Sequence, residues 1–143
     1  MAVSVIASKG LASFVIKANG SSLDCCYRVL SVEVEKRVNR IARAKIVLLD
    51  GEANTGKFEA SSSGTFVPGN PISIEAGYDN NNKLIFKGLI TGQTIRIDKE
   101  VGSALELECR DESVRMIVGR KCLTYANIKD SDIIASVIGK YPA

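Results

Sequence analysis

Residues 71–92 constrain the fold more than any other part of this chain. Ile72, Ile74, Ala76 and Tyr78 alternate with Ser73, Glu75 and Gly77, the period-2 pattern of a strand with one buried face. Pro68-Gly69-Asn70 punctuates its start, and Asp79-Asn80-Asn81-Asn82 supplies residues that tolerate left-handed backbone at its far end. Leu84 to Thr91 then returns, so the segment reads as a β-hairpin with a turn at each end. Ile95 and Ile97 carry the returning ribbon past Gly92.

The same alternation recurs along the chain. Ser13 to Ala18 forms a short first strand closed by Asn19-Gly20. From Val29 to Val38, the spacing places Leu30, Val32, Val34 and Val38 on one face and Ser31, Glu33, Glu35 and Arg37 on the other. After Asn39-Arg40 the next strand turns Ala42, Ala44, Ile46 and Leu48 inward, with Arg43 and Lys45 outward. Val47 and Leu49 break its pattern, as in a strand covered on both sides, and Asp50-Gly51 ends it. Residues 51–65 are polar, rich in Gly and Ser and without period, the marks of a long surface loop. Ala104 to Arg110 is a further strand, with Leu105, Leu107 and Cys109 opposed to Glu106 and Glu108.

Two short helices follow. Val114, Ile117 and Val118 sit at helical spacing after Asp111-Glu112, ending at Gly119. Ile133, Ile134, Val137 and Ile138 form a second stripe, capped by Asp130 or Ser131 and stopped by Gly139 and Pro142. Six or seven strands at roughly ten-residue spacing predict a mainly β fold with two short α-helices, a small antiparallel barrel or sandwich. The 143 residues form one domain, 1–143, with no internal repeat or linker.

Composition narrows the function. Nineteen basic residues are scattered among sixteen acidic ones for a net charge of +3, and Trp is absent. Nucleic-acid surfaces concentrate basic charge and interleave it with stacking aromatics, so none is expected here. No apolar run reaches the ~20 residues that cross a bilayer, and Met1 to Ala12, interrupted by Lys9-Gly10, does not read as a signal peptide. The expectation is synthesis in a reducing cytoplasm and no membrane insertion. Cys25, Cys26, Cys109 and Cys122 lack the paired spacing of a zinc knuckle. No metal site is expected, and Cys109 reads as a small buried apolar residue.

Gly51-Glu52-Ala53-Asn54-Thr55-Gly56-Lys57 fits the first seven positions of a phosphate-binding loop. The eighth position should carry the hydroxyl that holds magnesium, and a helix should open there. Phe58 stands instead, followed by Glu59-Ala60 and a Ser61-Ser62-Ser63-Gly64 run unsuited to a helix. No cofactor is therefore expected. Histidine is absent from the chain, which removes the usual general base and the commonest metal ligand. Glu106 and Glu108, with Asp111-Glu112, offer carboxylates, but outward strand carboxylates read as solvent contacts rather than a desolvated acid–base pair. No catalytic residue is assigned, and the chain reads as a non-enzyme.

The 68–92 hairpin, with its Pro-Gly turn, Gly77-Tyr78 ending and Leu84-Ile85-Phe86-Lys87-Gly88-Leu89-Ile90-Thr91 return, resembles the first barrel of the VgrG spike proteins and the related late-control, baseplate-hub proteins of contractile phage tails. Val38-Asn39-Arg40-Ile41-Ala42-Arg43-Ala44, leading to Leu48-Leu49-Asp50-Gly51, is similar to that family's early hairpin. Leu105 to Asp111 resembles its strand into an acidic turn, and Tyr125 to Ile134 the helix that follows. The likeness runs over about 130 residues in order.

That resemblance implies a structural role, as an adaptor between the tube and the puncturing tip of a type VI secretion system or phage tail. It implies two barrels in tandem in the longer protein, of which this would be the N-terminal one, and a trimer whose six barrels match a hexameric tube protein. Other baseplate components would be further partners. Assembly would occur in the bacterial cytoplasm, with delivery by the machine itself. Glu33, Glu35 and Arg37 are candidate rim contacts, and the 51–65 loop is a candidate partner-facing insertion. The alternative is a small barrel that binds single-stranded nucleic acid or carbohydrate.

Overall fold

The computed structural model describes residues 10–23, 26–51, 56–98, 102–119 and 122–141. Its strands are β1 (Ala12–Ala18), β2 (Ser21–Ser22), β3 (Arg28–Glu35), β4 (Arg43–Leu49), β5 (Pro71–Tyr78), β6 (Asn81–Asp98) and β7 (Gly102–Asp111). Two short α-helices, α1 (Glu59–Ser62) and α2 (Asp130–Ile138), and two 3-10 turns, Gly64–Phe66 and Glu112–Ile117, complete the elements. The turns are written locally. Asn19 and Gly20 join β1 to β2, and Asp79 and Asn80 join β5 to β6; all four adopt positive φ, the backbone that two-residue hairpins require.

The strands form one seven-stranded antiparallel sheet in the order β2-β1-β5-β6-β7-β4-β3. The fold is thus mainly β, as the alternation predicts. Among the described residues the ladder does not close into a continuous ring, leaving β2 and β3 as edges. The long strand β6 joins the two halves. Its residues Asn81 to Leu89 pair with β5, and Gly88 to Asp98 pair with β7. Register shifts at Ile74/Glu75 and Ile90/Gly92 bend it on either side of this handover, as bulges do.

The halves curl around a shared core. Ile16 and Ala18 from β1, Ile72 and Ile74 from β5, and Phe86 and Ile90 from β6 meet Leu105, Leu107 and Cys109 from β7 and Ala44, Ile46 and Leu48 from β4. Fully burying each large member contributes roughly 1.5–3 kcal/mol. Cys109 lies among them as a free thiol. Burial, reinforced by the neighbouring Glu108 carboxylate, pushes its pKa up to about 12.

Several positions depart from the simple alternation. A register shift between Val29 and Ser31 changes the phase of β3, so Val29, Val32 and Val34 pack on the core while Leu30 is 48% exposed. The strand ends at Glu35, and Val38 lies in the following turn, 90% exposed. Tyr78, expected on the buried face, is exposed together with Phe14, because this end of the β1–β5 ladder extends past the core. The first predicted helix is a 3-10 turn, started by the Asp111 carboxylate accepting from the Ser113 N–H at 3.0 Å. Helix α2 forms where the stripe places it, but neither Asp130 nor Ser131 caps it; Lys129 occupies that position without a side-chain bond. Its Ile134, Val137 and Ile138 remain exposed.

Candidate interaction surfaces

Cross-strand register assembles a charged face on the outside of β3, β4 and β7. Glu35 lies opposite Arg43, which lies opposite Arg110; one row on, Glu33 lies opposite Lys45, which lies opposite Glu108. Alternating outward positions on adjacent strands must form such rows. The Glu35 carboxylate accepts from both Arg37 and Arg43. Of the predicted rim residues, Glu35 and Arg37 are thus paired with each other, and Glu33 is exposed on the same face.

Glu106 departs from its expected place as an outward solvent contact. It is 8% exposed, on the same face as Glu108, and its two oxygens accept from Lys45 Nζ at 2.7 Å and Arg96 Nε at 3.0 Å. A carboxylate removed from water needs such partners. Tied on both sides by cations, Glu106 acts as a cross-strand clamp between β4, β6 and β7. Glu108 is exposed, so the two carboxylates occupy different environments without facing each other across a cleft.

The 51–65 segment is less loop-like than its composition suggests. Asp50, 5% exposed, accepts from the Ala60 N–H at 2.9 Å and the Ser61 N–H at 2.8 Å. These bonds satisfy the orphan donors at the start of α1. Ala60 and Phe66 are buried in the core cluster, and Phe66 meets Tyr27 edge to face with ring centroids 5.2 Å apart. The segment is therefore partly a plug held on the sheet, and the expectation of a helix-free run at Ser61-Ser62 is corrected by α1. Residues 52–55 of the Gly51–Lys57 motif lie outside the described residues. The helix N-terminus that would meet a phosphate already receives a carboxylate. Sequence reasoning missed both the plug and the Glu106 clamp; the apolar Phe58 and Phe66 flanking a polar run were the only hint of the first.

Among the described residues, no group of three or more His, Cys, Asp or Glu side chains is placed to hold a metal. Cys26 and Cys122 are exposed free thiols, and Cys25 lies outside the described residues. No helix of the described residues is long and apolar enough to cross a membrane.

This is a mainly β domain whose one curled sheet has the fold seen in part of a phage tail protein. Across 92% of its length it is similar to the 43 kDa tail protein of prophage MuSo2 from Shewanella oneidensis, with a TM-score of 0.62 at 12% identity. Residues 8–142 match the family described as the Alg8 N-terminal domain, and the chain belongs to that family. A tail protein from Neisseria meningitidis MC58 is similar over 74% of the chain, with a TM-score of 0.45 and 14% identity. The chain spans 38% of the first of these proteins and 26% of the second. No curated protein matches it. The resemblance to hub proteins therefore holds at the level of a phage-tail-protein fold, while the matching family carries a name other than VgrG.

Proposed function

We propose that this domain is a structural, non-catalytic part of a contractile injection machine, the first hub barrel of a VgrG-type spike or a phage late-control protein. The observation that carries the proposal is the fold shared with part of the MuSo2 tail protein over nearly the whole chain. In this reading the domain is one of two tandem barrels in a longer polypeptide and trimerises as part of it. It contacts a hexameric tube protein on one side and baseplate components around it, linking the tube to the puncturing tip. It is assembled in the bacterial cytoplasm and leaves with the machine. A rigid curled sheet with charged rows on its outer face suits a mechanical adaptor.

Co-sedimentation with preassembled tube rings from the same source, against an unrelated small barrel as control, tests this reading. Saturable pelleting is expected. If neither this domain nor a longer version carrying the second barrel pellets with the rings, the injection-machine assignment falls.

A further inference from the structure

The described residues contain a second grouping that goes beyond the hub reading and does not depend on it. At the C-terminal end of β3, a cleft is lined by Glu35, Arg37, Arg40, Ile41, Arg43 and Arg110. Four arginines and a single carboxylate thus line one cleft. Arg37 and Arg43 share Glu35, whereas Arg40 and Arg110 have no carboxylate partner among the described residues. Arg110 also lies directly opposite Arg43 across the β4–β7 ladder. Like charges at that spacing repel, and Glu35, shared between Arg37 and Arg43, offsets only part of that repulsion.

We propose that this cleft is a docking site for an extended acidic segment of a partner protein, seated through its carboxylates. Guanidinium forks match carboxylates in paired, charge-assisted bonds. A bound carboxylate between Arg43 and Arg110 would replace their repulsion by two attractions. The neighbouring edge of β3 is unpaired among the described residues, so an extended segment beside the cleft can also add backbone hydrogen bonds. A nucleic-acid backbone fits less well. No aromatic side chain lines the cleft for bases to stack on.

The test is fluorescence anisotropy of a labelled hexaglutamate peptide titrated with the 143-residue protein at low salt, with hexaglutamine as control. Binding is expected with a dissociation constant of about 0.1–1 mM, weakening as salt rises. Replacing both unpaired arginines, Arg40→Glu with Arg110→Glu, should weaken it at least about tenfold, a large part of what a few charge-assisted bonds provide. A second readout needs no peptide: Arg110→Gln should raise the melting temperature of the free protein by roughly 1–3 °C at low salt, because it relieves the repulsion with Arg43. A lowered melting temperature for Arg110→Gln would show a structural arginine and overturn the proposal. So would absent peptide binding, binding unchanged in the double variant, or tighter binding of a hexathymidylate at equal salt.

Discussion

Gly88 sits where β6 changes partners, paired with Ile72 of β5 on one side and Asp111 of β7 on the other. A Cβ at this position would lie 2.1 Å from the Arg110 carbonyl oxygen, 2.7 Å from its carbon and 3.0 Å from the Asp111 Cα. All three are backbone atoms, so no side chain can swing aside. A comfortable C···O contact is about 3.3 Å, so the strands must part by about 1 Å. Movement away from β7 presses β6 into β5, which leaves the strain no free direction. Overpacking costs about 1–3 kcal/mol, and stretching roughly two ladder bonds adds about 1 kcal/mol each. The stiffer unfolded chain of an Ala variant returns about 0.4–1 kcal/mol. Gly88→Ala should therefore destabilise the fold by about 2–4 kcal/mol. In urea denaturation followed by circular dichroism, that is a midpoint lowered by roughly 1–2 M with an unchanged slope. Gly64→Ala is the control, since nothing lies within 4 Å of a Cβ there. If Gly88→Ala unfolds within about 0.5 kcal/mol of Gly64→Ala, the account of a strand clamped from both sides is wrong.

Other consequences of the structure are equally measurable. Cys109 should resist a maleimide in the native protein while Cys26 and Cys122 react, since it is buried and its pKa is raised to about 12. The unfolded thiol ionises from about 9.0 upward while the native one keeps its proton, so stability falls as pH rises through that window. The loss is about 1.4 kcal/mol per pH unit, and Cys109→Ala should remove that share of the slope; an identical slope in both proteins would refute it. Asp50→Ala should cost about 2–3 kcal/mol by leaving two amides at the start of α1 without their acceptor. Hydrogen exchange at Ala60 and Ser61 should accelerate with it, and unchanged protection would count against the cap. Glu106→Gln keeps the shape but not the charge. With both cationic partners part-exposed, its cost should be about 1 kcal/mol and shrink in high salt; a salt-independent loss would point to packing instead. Phe66→Ala should cost about 3–4 kcal/mol in the same denaturation assay, and a loss below 1 kcal/mol would mean that the 59–66 segment is no plug.

The strands were legible because period 2 survives wherever one face is buried. Ile46 and Leu48 on β4, like Leu105 and Leu107 on β7, are all fully buried where the alternation places them. Errors arise where a single inserted residue shifts the phase. Leu30 looks inward by counting from Val32, but the irregularity after Val29 turns it out. Glu106 illustrates a different limit. Outward-facing is not the same as solvated, and only the pairing of β7 with β4 and β6 shows that Lys45 and Arg96 cover it. The arginine cleft was hidden for the same reason. Arg37, Arg40 and Arg43 are close in sequence, but Arg110 joins them through strand register alone. The 59–66 plug escaped because one-turn helices carry too few residues for a period, and its anchor is the Asp50 carboxylate rather than an apolar stripe.

The strand order also sets a timetable for synthesis. The middle of the sheet is built from β5, β6 and β7, while the strands made first, β1 to β4, become its flanks. Ala12 finds its neighbour only when Tyr78 exists, and Arg43 must wait for Arg110. At a ribosomal pace of about 5–20 residues per second, each waits roughly 3–13 seconds. During that interval β1 and β4 present open edges and apolar faces with no centre to join. The β5–β6–β7 meander, whose pairings are all between successive strands, is then the template on which both older ribbons close, one from each side.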